Sequence, residues 1–548
     1  MNKLLDKLSK DTYTSKLSKR MRIFDYSVFL ACMAMIVLFP LPRLNKGVNL
    51  TDSTFKLINF KYFFTDYNIS IFGFSGTDFV GGILFALTDS HQLLVLNVAK
   101  YLCALIIIFL VVLLCRRFSP LSLIGVSLLI SYFWTLRFPC SLHYNDLSQL
   151  VFVLSVLLLF LSLQNCNHGT VLAILALSLL AFAIFVRFPN ILFLSVLLPY
   201  LYCYYLSTKC LKSLLRRFLV IATAGITSLV IWGALLSYFI GFSRMRESLV
   251  SLIGMTLDGG GYSFSWFVRA PYLALTGQIT SEIQMVAIVL LTALIVLVIT
   301  LFLTKRAEYQ FFFLVSAALT LMLCLPFGSN NGVYTFLNFS FLIAAVSASA
   351  FWQLANNSDR VSISSPLLTR VIRTGIIAVG LPSIVLSSLV AYSFSSLVYG
   401  DDPIDNLVFT LRTPEFQGMY TSERNYLHER TYLEAKRLFP GHRTIDINHN
   451  SIAGALVFNT PPFFSQAWVG LDLITLEQME NQLSERFDPN DETTYPIIFM
   501  NVGAREDPPN QKVVLISDFM DDNDYVLIAS DGHLVAYGPP VSAMIKSD

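Results

Sequence analysis

Eleven apolar runs of roughly twenty residues recur through the first 400 positions of this 548-residue chain. They lie at about 24–42, 93–115, 119–137, 147–164, 170–187, 190–208, 218–241, 286–304, 311–327, 334–353 and 375–397. A helix rises about 1.5 Å per residue, so a run of this length matches the ~30 Å hydrocarbon core of a bilayer. In lipid the backbone must satisfy its own hydrogen bonds, which leaves helices or closed barrels as spanning elements. The runs therefore predict a polytopic α-helical membrane protein with about 11 transmembrane helices. Only 14% of the residues are charged, against about 25% in soluble domains.

The charges are unevenly divided. From Val398 onward the formal net charge is −13, and before it the net is +15. This predicts a basic cytoplasmic N-terminus over 1–23, a transmembrane domain over 24–397 and an acidic extracytoplasmic domain over 398–548. Lys3, Lys7, Lys10, Lys16, Lys19, Arg20 and Arg22 precede the first run, and no small-residue cleavage pattern follows it. An uncleaved first helix is expected. With the N-terminus inside, the inner segments hold 18 basic residues and the outer ones nine, the bias expected of cytoplasmic loops. An odd number of spans then places the tail outside. Two outer loops are long, about 43–92 and 242–285, which points to that face as the one hosting a site. All eight cysteines precede the tail and none has metal-type spacing, so they read as small packing residues.

The tail reads as a small α/β domain. Helices are expected over 421–438, from Ser451, and over 476–487, the last with a Thr475–Gln478 capping box. Strands are expected at 444–447, 496–500, 513–516 and 525–528.

Four short polar motifs fall on the outer face. Thr51-Asp52-Ser53 follows the first span, and a carboxylate there can deprotonate an acceptor or help hold a cation. His143-Tyr144-Asn145-Asp146-Leu147-Ser148 opens a span, either as an ordinary N-cap or as a polar-ligand site at a helix start. Arg187-Phe188-Pro189-Asn190 joins two spans, its Arg either snorkelling to the interface or binding a lipid phosphate. Gly328-Ser329-Asn330-Asn331-Gly332 is good turn chemistry, and its paired amides can also bind sugar hydroxyls. The second long loop adds Arg244, Arg246, Asp258 and Arg269. Lys100, inside the second span, either snorkels outward or meets an anionic lipid head group. There is no GxxxxGK[ST], HExxH or GxSxG motif, and the acidic tail argues against nucleic acid as a partner.

On Leu50-Thr51-Asp52-Ser53-Thr54-Phe55, Tyr144-Asn145-Asp146-Leu147-Ser148, Arg187-Phe188-Pro189-Asn190 and Gly328-Ser329-Asn330-Asn331-Gly332, together with the architecture of about 20–400, the chain resembles the GT-C superfamily of integral membrane glycosyltransferases. The resemblance implies an enzyme of a bacterial inner membrane. Such an enzyme moves sugar from a polyprenyl-phosphate-linked donor to an envelope acceptor (glycan, lipid or protein), among membrane lipids. It implies Asp52 as the catalytic acid of the first loop. Tyr144, Asn145, Asp146, Arg187, Asn190, Arg244, Arg246, Asp258, Arg269, Asn330 and Asn331 are the matching substrate-binding candidates. Many members carry two acids together or as DxD, whereas Asp52 is followed by Ser53-Thr54. A second acid must then come from Asp66, Asp78, Asp146 or Asp258, and use of a divalent cation turns on it. The alternatives are a lipid-linked glycan transporter or flippase, which needs ionisable groups near the bilayer midplane, and a non-catalytic envelope scaffold.

Overall fold

The computed structural model describes residues 18–65, 75–136, 141–164, 168–246, 309–324, 339–356, 388–389, 392–448, 451–469, 474–505 and 510–540. Among these residues, six helices are long and apolar enough to cross a membrane and three further apolar helices are shorter. The chain is a multi-pass helical membrane protein. The expected spans at 286–304 and over most of 375–397 lie outside the described residues, so the count of eleven rests on sequence.

The membrane helices are α1 (Lys19–Leu38), α4 (Gln92–Cys115), α5 (Leu121–Thr135), α6 (Tyr144–Gln164), α7 (Gly169–Val186), α8 (Leu197–Thr208), α9 (Leu211–Ile240), α10 (Tyr309–Cys324) and α11 (Ser340–Asn356). The sixth expected span is a 3-10 stretch, Phe188–Val196, running into α8. The seventh begins earlier than its apolar pattern suggests, because Lys212, Arg216 and Arg217 lie on α9 itself. Arg217 is buried there, donating to Thr170 Oγ1 and Ser162 Oγ. α6 packs on α7 and α4, α9 on α7, and α5 on α1 and α11. Pro120 offers α5 no side-chain cap. The buried Asp25 carboxylate on α1 accepts the Leu121 and Ser122 amides instead, satisfying donors that a helix start leaves open.

The segment expected as the first outer loop is not a loop throughout. It forms two 11-residue helices, α2 (Asp52–Tyr62) and α3 (Ser75–Phe85), each too short to cross a bilayer.

The tail holds a β1–β2 pair (Phe409–Thr410, Tyr420–Thr421) and a four-stranded sheet of order β3-β4-β6-β5. These strands are Thr444–Ile447, Ile497–Asn501, Leu534–Gly538 and Val526–Ser530 for β3, β4, β6 and β5. β3 and β4 are parallel, and the other pairings are antiparallel. The helices are α12 (Glu423–Leu438), α13 (Gly454–Phe458), α14 (Leu476–Arg486) and α15 (Gln511–Asp522). The Thr475–Gln478 capping box is formed as read. The expected strand at 513–516 is instead the first half of α15. Asn510 accepts the Lys512 and Val513 amides there, and Val513, Ile516 and Met520 recur at helical spacing toward the core. The run of four apolar residues was too short to separate the two periods.

Alternation splits β4 between two cores. Ile498 and Met500 face the α15 side, whereas Ile497 and Phe499 belong to a core continuous with the membrane helices. The tail is also stitched to the segment before α2. Tyr420 N–H donates to Asn45 O, Gly47 N–H to Tyr420 O and Ile452 N–H to Leu50 O. Asn425 Nδ2 donates to Val48 O, and Lys61 Nζ reaches Glu415 and Asn459 at 2.6 Å each.

Asp446 on β3 is buried, accepting Tyr432 Oη–H at 2.7 Å and Gly454 N–H at 3.1 Å. Burial pushes its carboxyl up to about 7, against those two hydrogen bonds. A folded-state value above the unfolded one gives stability that is present at low pH and lost as pH rises through the folded value. The tail's thermal midpoint should therefore fall between about pH 4 and pH 7. Asp446→Asn should flatten that slope in detergent-solubilised protein, and an unchanged slope would refute it.

Candidate active site

α2 begins at Asp52 because Asn49 caps it. Asn49 Oδ1 accepts the Thr51 and Ser53 amides, and its carbonyl accepts Thr54 Oγ1–H. The first turn, where Asp52 sits, is favourable for a carboxylate in the field of the helix dipole. Tyr399, from the segment leading into the tail, donates its hydroxyl to Asp52 Oδ2 at 2.6 Å. Burial raises the Asp52 carboxyl above the ordinary carboxylate range, while the Tyr399 hydrogen bond and the Lys56 charge act against the rise.

Lys56 lies one turn further along α2 and is only 2% exposed. Its Nζ is 3.1 Å from Asp78 Oδ1 in the first turn of α3. Burial raises the Asp78 carboxyl too, opposed by Lys56 and then by Arg244. Glycines let these helices meet. A Cβ on Gly81 would lie 2.3 Å from the Phe60 ring, and one on Gly76 would lie 2.9 Å from the backbone at Phe185–Val186. Thr77 Oγ1 then donates to Val186 O, which sets the start of α3 beside the end of α7 and Arg187.

Arg187 closes α7 with extended backbone and is 7% exposed. Its guanidinium carbon is 5.0 Å from the Tyr144 ring centroid, and its Nη1 donates to Asn145 Oδ1 at 3.3 Å. Lys56 Nζ is 5.7 Å from the centroid of the same ring. Two buried cations therefore bear on one tyrosine, each gaining from the ring quadrupole. The neighbouring His143 is held well below the ordinary imidazole value by burial and by the charges of Lys56, Lys100 and Arg187. It is neutral at pH 7.

The structure thus brings Asp52, Tyr144, Asn145 and Arg187 into one connected set. Arg244 joins at its edge: it is buried, donates to Phe63 O and acts on Asp78. Two other candidates have positions suited to holding the fold. Asp146 Oδ2, in the first turn of α6, reaches back to accept the His143 amide at the helix start, and Asn190 Nδ2 donates to Ser148 Oγ and Ala183 O while buried. Arg246 is exposed. Asp258, Arg269, Asn330 and Asn331 lie outside the described residues, as does Asp66. Lys56 and Tyr399 escaped the sequence reading. Helical spacing from Asp52 marks Lys56 once α2 is recognised, whereas nothing local marks Tyr399.

Asp52 and Asp78 flank a lysine ammonium. Among the described residues, no three His, Cys, Asp or Glu converge as metal ligands.

The whole-chain architecture matches ArnT from Cupriavidus metallidurans in its apo state at 12% identity and a TM-score of 0.52, covering 94% of this chain and 98% of that one. The fold is shared with this ArnT structure. The same ArnT bound to undecaprenyl phosphate matches at 12% identity and a TM-score of 0.51, over 93% of this chain and 97% of that one. AglB from Archaeoglobus fulgidus, an archaeal oligosaccharyltransferase in complex with an inhibitory peptide and a dolichol-phosphate, aligns at 11% identity with a TM-score of 0.46, over 95% of this chain and 74% of that one. No protein-family model matches the sequence, and no curated protein does. At this identity the ArnT match speaks for the fold.

Proposed function

We propose that the protein transfers a sugar from a polyprenyl-phosphate donor to an acceptor hydroxyl or amine at the outer face of a bacterial inner membrane. The observation that carries this reading is the half-buried Asp52 carboxylate set one helical turn from Lys56, with Lys56 and Arg187 on one tyrosine ring. The ArnT fold, solved in one case with undecaprenyl phosphate, supports a lipid phosphate as the group those cations meet. The topology follows the charge bias: N-terminus inside, α2, α3 and the acidic tail outside, with the tail starting near residue 398.

In this reaction the acceptor oxygen or nitrogen attacks the sugar's anomeric carbon, and its proton passes to Asp52. The bond from that carbon to the carrier phosphate breaks, and the electron pair leaves on the phosphate. Arg187 and Lys56 stabilise the charge that develops there. Tyr144 and Asn145 hold Arg187 in place, and Arg244 steadies Asp78.

A transporter would place unengaged ionisable groups along a path through the spans. Here Asp25 caps α5 and Arg217 bonds Ser162 and Thr170, which favours the enzyme. The decisive experiment is transfer from a polyprenyl-phosphate-linked sugar by membranes carrying the wild type and its Asp52 and Arg187 variants.

Tyr399→Phe supplies a pH test. Its hydroxyl opposes the rise in the Asp52 value, so its loss should raise that value further. A base must be ionised, so the acid limb of the transfer rate should move to higher pH, with the alkaline side little changed. An unmoved limb would separate Tyr399 from the reaction.

A further inference from the structure

Beyond the Asp52 cluster, a cavity of about 70 Å³ lies among the ends of α1, α4 and α5 and the chain at 397–398. Asn97, Lys100, Tyr101 and Ala104 line it at helical spacing, as one stripe of α4. Tyr132, Thr135 and Leu136 line it from the end of α5, and Arg43 and Lys46 from the connection after α1. Three cations thus face the space, and among the described residues that line it none is acidic.

The chain fixes these charges in place. Arg43 donates to Ser395 O at 2.6 Å and Leu397 O at 2.9 Å. Lys46 donates to Leu407 O at 2.7 Å and lies 4.2 Å from the Tyr420 ring centroid. Asn97 Nδ2 donates to Leu44 O at 2.8 Å, whereas Asn97 Oδ1, on a side chain 3% exposed, is buried without a hydrogen-bond partner among the described residues. Leu44, Ala104, Leu136, Leu397 and Val398 supply apolar wall. The volume holds roughly five water-sized probes, the scale of a phosphodiester rather than of a whole lipid.

Positive charge and apolar walls at the end of membrane helices describe one ligand class. We infer that the cavity binds the head group of an anionic bilayer phospholipid, the cations meeting its phosphate. Lys100, which sequence alone left between snorkelling and a lipid head group, takes the second role. The site is separate from the donor site at Arg187. It serves to seat the ends of α1, α4 and α5 against the outer leaflet.

The test uses the full-length protein in detergent, titrated with phosphatidylglycerol or phosphatidylcholine and read by native mass spectrometry. Phosphatidylglycerol should bind the wild type at least tenfold more tightly. Lys100→Gln should remove that preference and Lys100→Arg restore it, while Ala104→Trp, which fills the cavity, should lose the bound lipid. Equal binding of both lipids by the wild type, which needs no variant to fold, would overturn the inference, as would an unchanged Lys100→Gln preference. Polyprenyl phosphate added at equal concentration should leave the phosphatidylglycerol in place. Its displacement would make this the carrier's own site and overturn the assignment. Arg187→Gln separates the two readings, because it should lose transfer and keep the phospholipid.

Discussion

Asp52→Asn should lower sugar transfer by about 10²–10⁴-fold, the usual worth of a positioned general base, while expression and folding stay intact. The exchange preserves size, and an amide oxygen still accepts the Tyr399 hydroxyl that Asp52 Oδ2 now accepts at 2.6 Å. The Asn49 cap, which holds the start of α2, uses the Thr51 and Ser53 amides and leaves the Asp52 side chain out. What disappears is the ability to take a proton. The measurement is initial transfer rate at saturating polyprenyl-phosphate sugar, normalised to protein recovered in membranes. Undiminished transfer would remove Asp52 from the mechanism.

Lys56→Met should damage stability as well as transfer. Lys56 and Asp78 are 2% and 1% exposed, and their ion pair lies between α2 and α3. Removing one partner of a buried pair typically destabilises by about 3–5 kcal/mol, because the other charge is left without compensation. Arg244, whose charge also acts on Asp78, makes the lower end of that range the expectation, and protonation of Asp78 at low pH should soften it further. Replacing both residues, Lys56→Met with Asp78→Leu, should recover most of the lost stability, since apolar pairs often substitute for buried ion pairs. Transfer should stay low in the double variant because one of the two cations at the Tyr144 ring is gone. Thermal unfolding in detergent and transfer rate together check this. A Lys56→Met protein as stable as the wild type at pH 7 would show that the pair contributes little.

Local chemistry was legible where the signal and the interaction lie within one turn. Thr475 and Gln478 announced their capping box because both partners sit three positions apart on one helix start. The 513–516 stretch misled because four apolar residues fit either period, and the Asn510 cap and the later Met520 decided for the helix. Asn190 read as a ligand group in a Pro-Asn turn, yet its amide is taken up by Ser148 and Ala183. Asp52 drew attention by its place after the first span. Lys56, one turn on, is marked only once the segment around Asp52 is known to be helical.

By itself the sequence determined that this chain lives in a membrane, that its C-terminal part is acidic, and which side each polar motif is expected to face. Those properties add up residue by residue: apolar area and charge are carried by each side chain whatever it touches. Only the tertiary structure decided the partners of Asp52. Tyr399 is 347 positions away, and Asp78 reaches Lys56 through close helix approaches at Gly76 and Gly81. Pairings of that kind depend on which surfaces pack, and packing is a property of the whole chain rather than of any stretch of it.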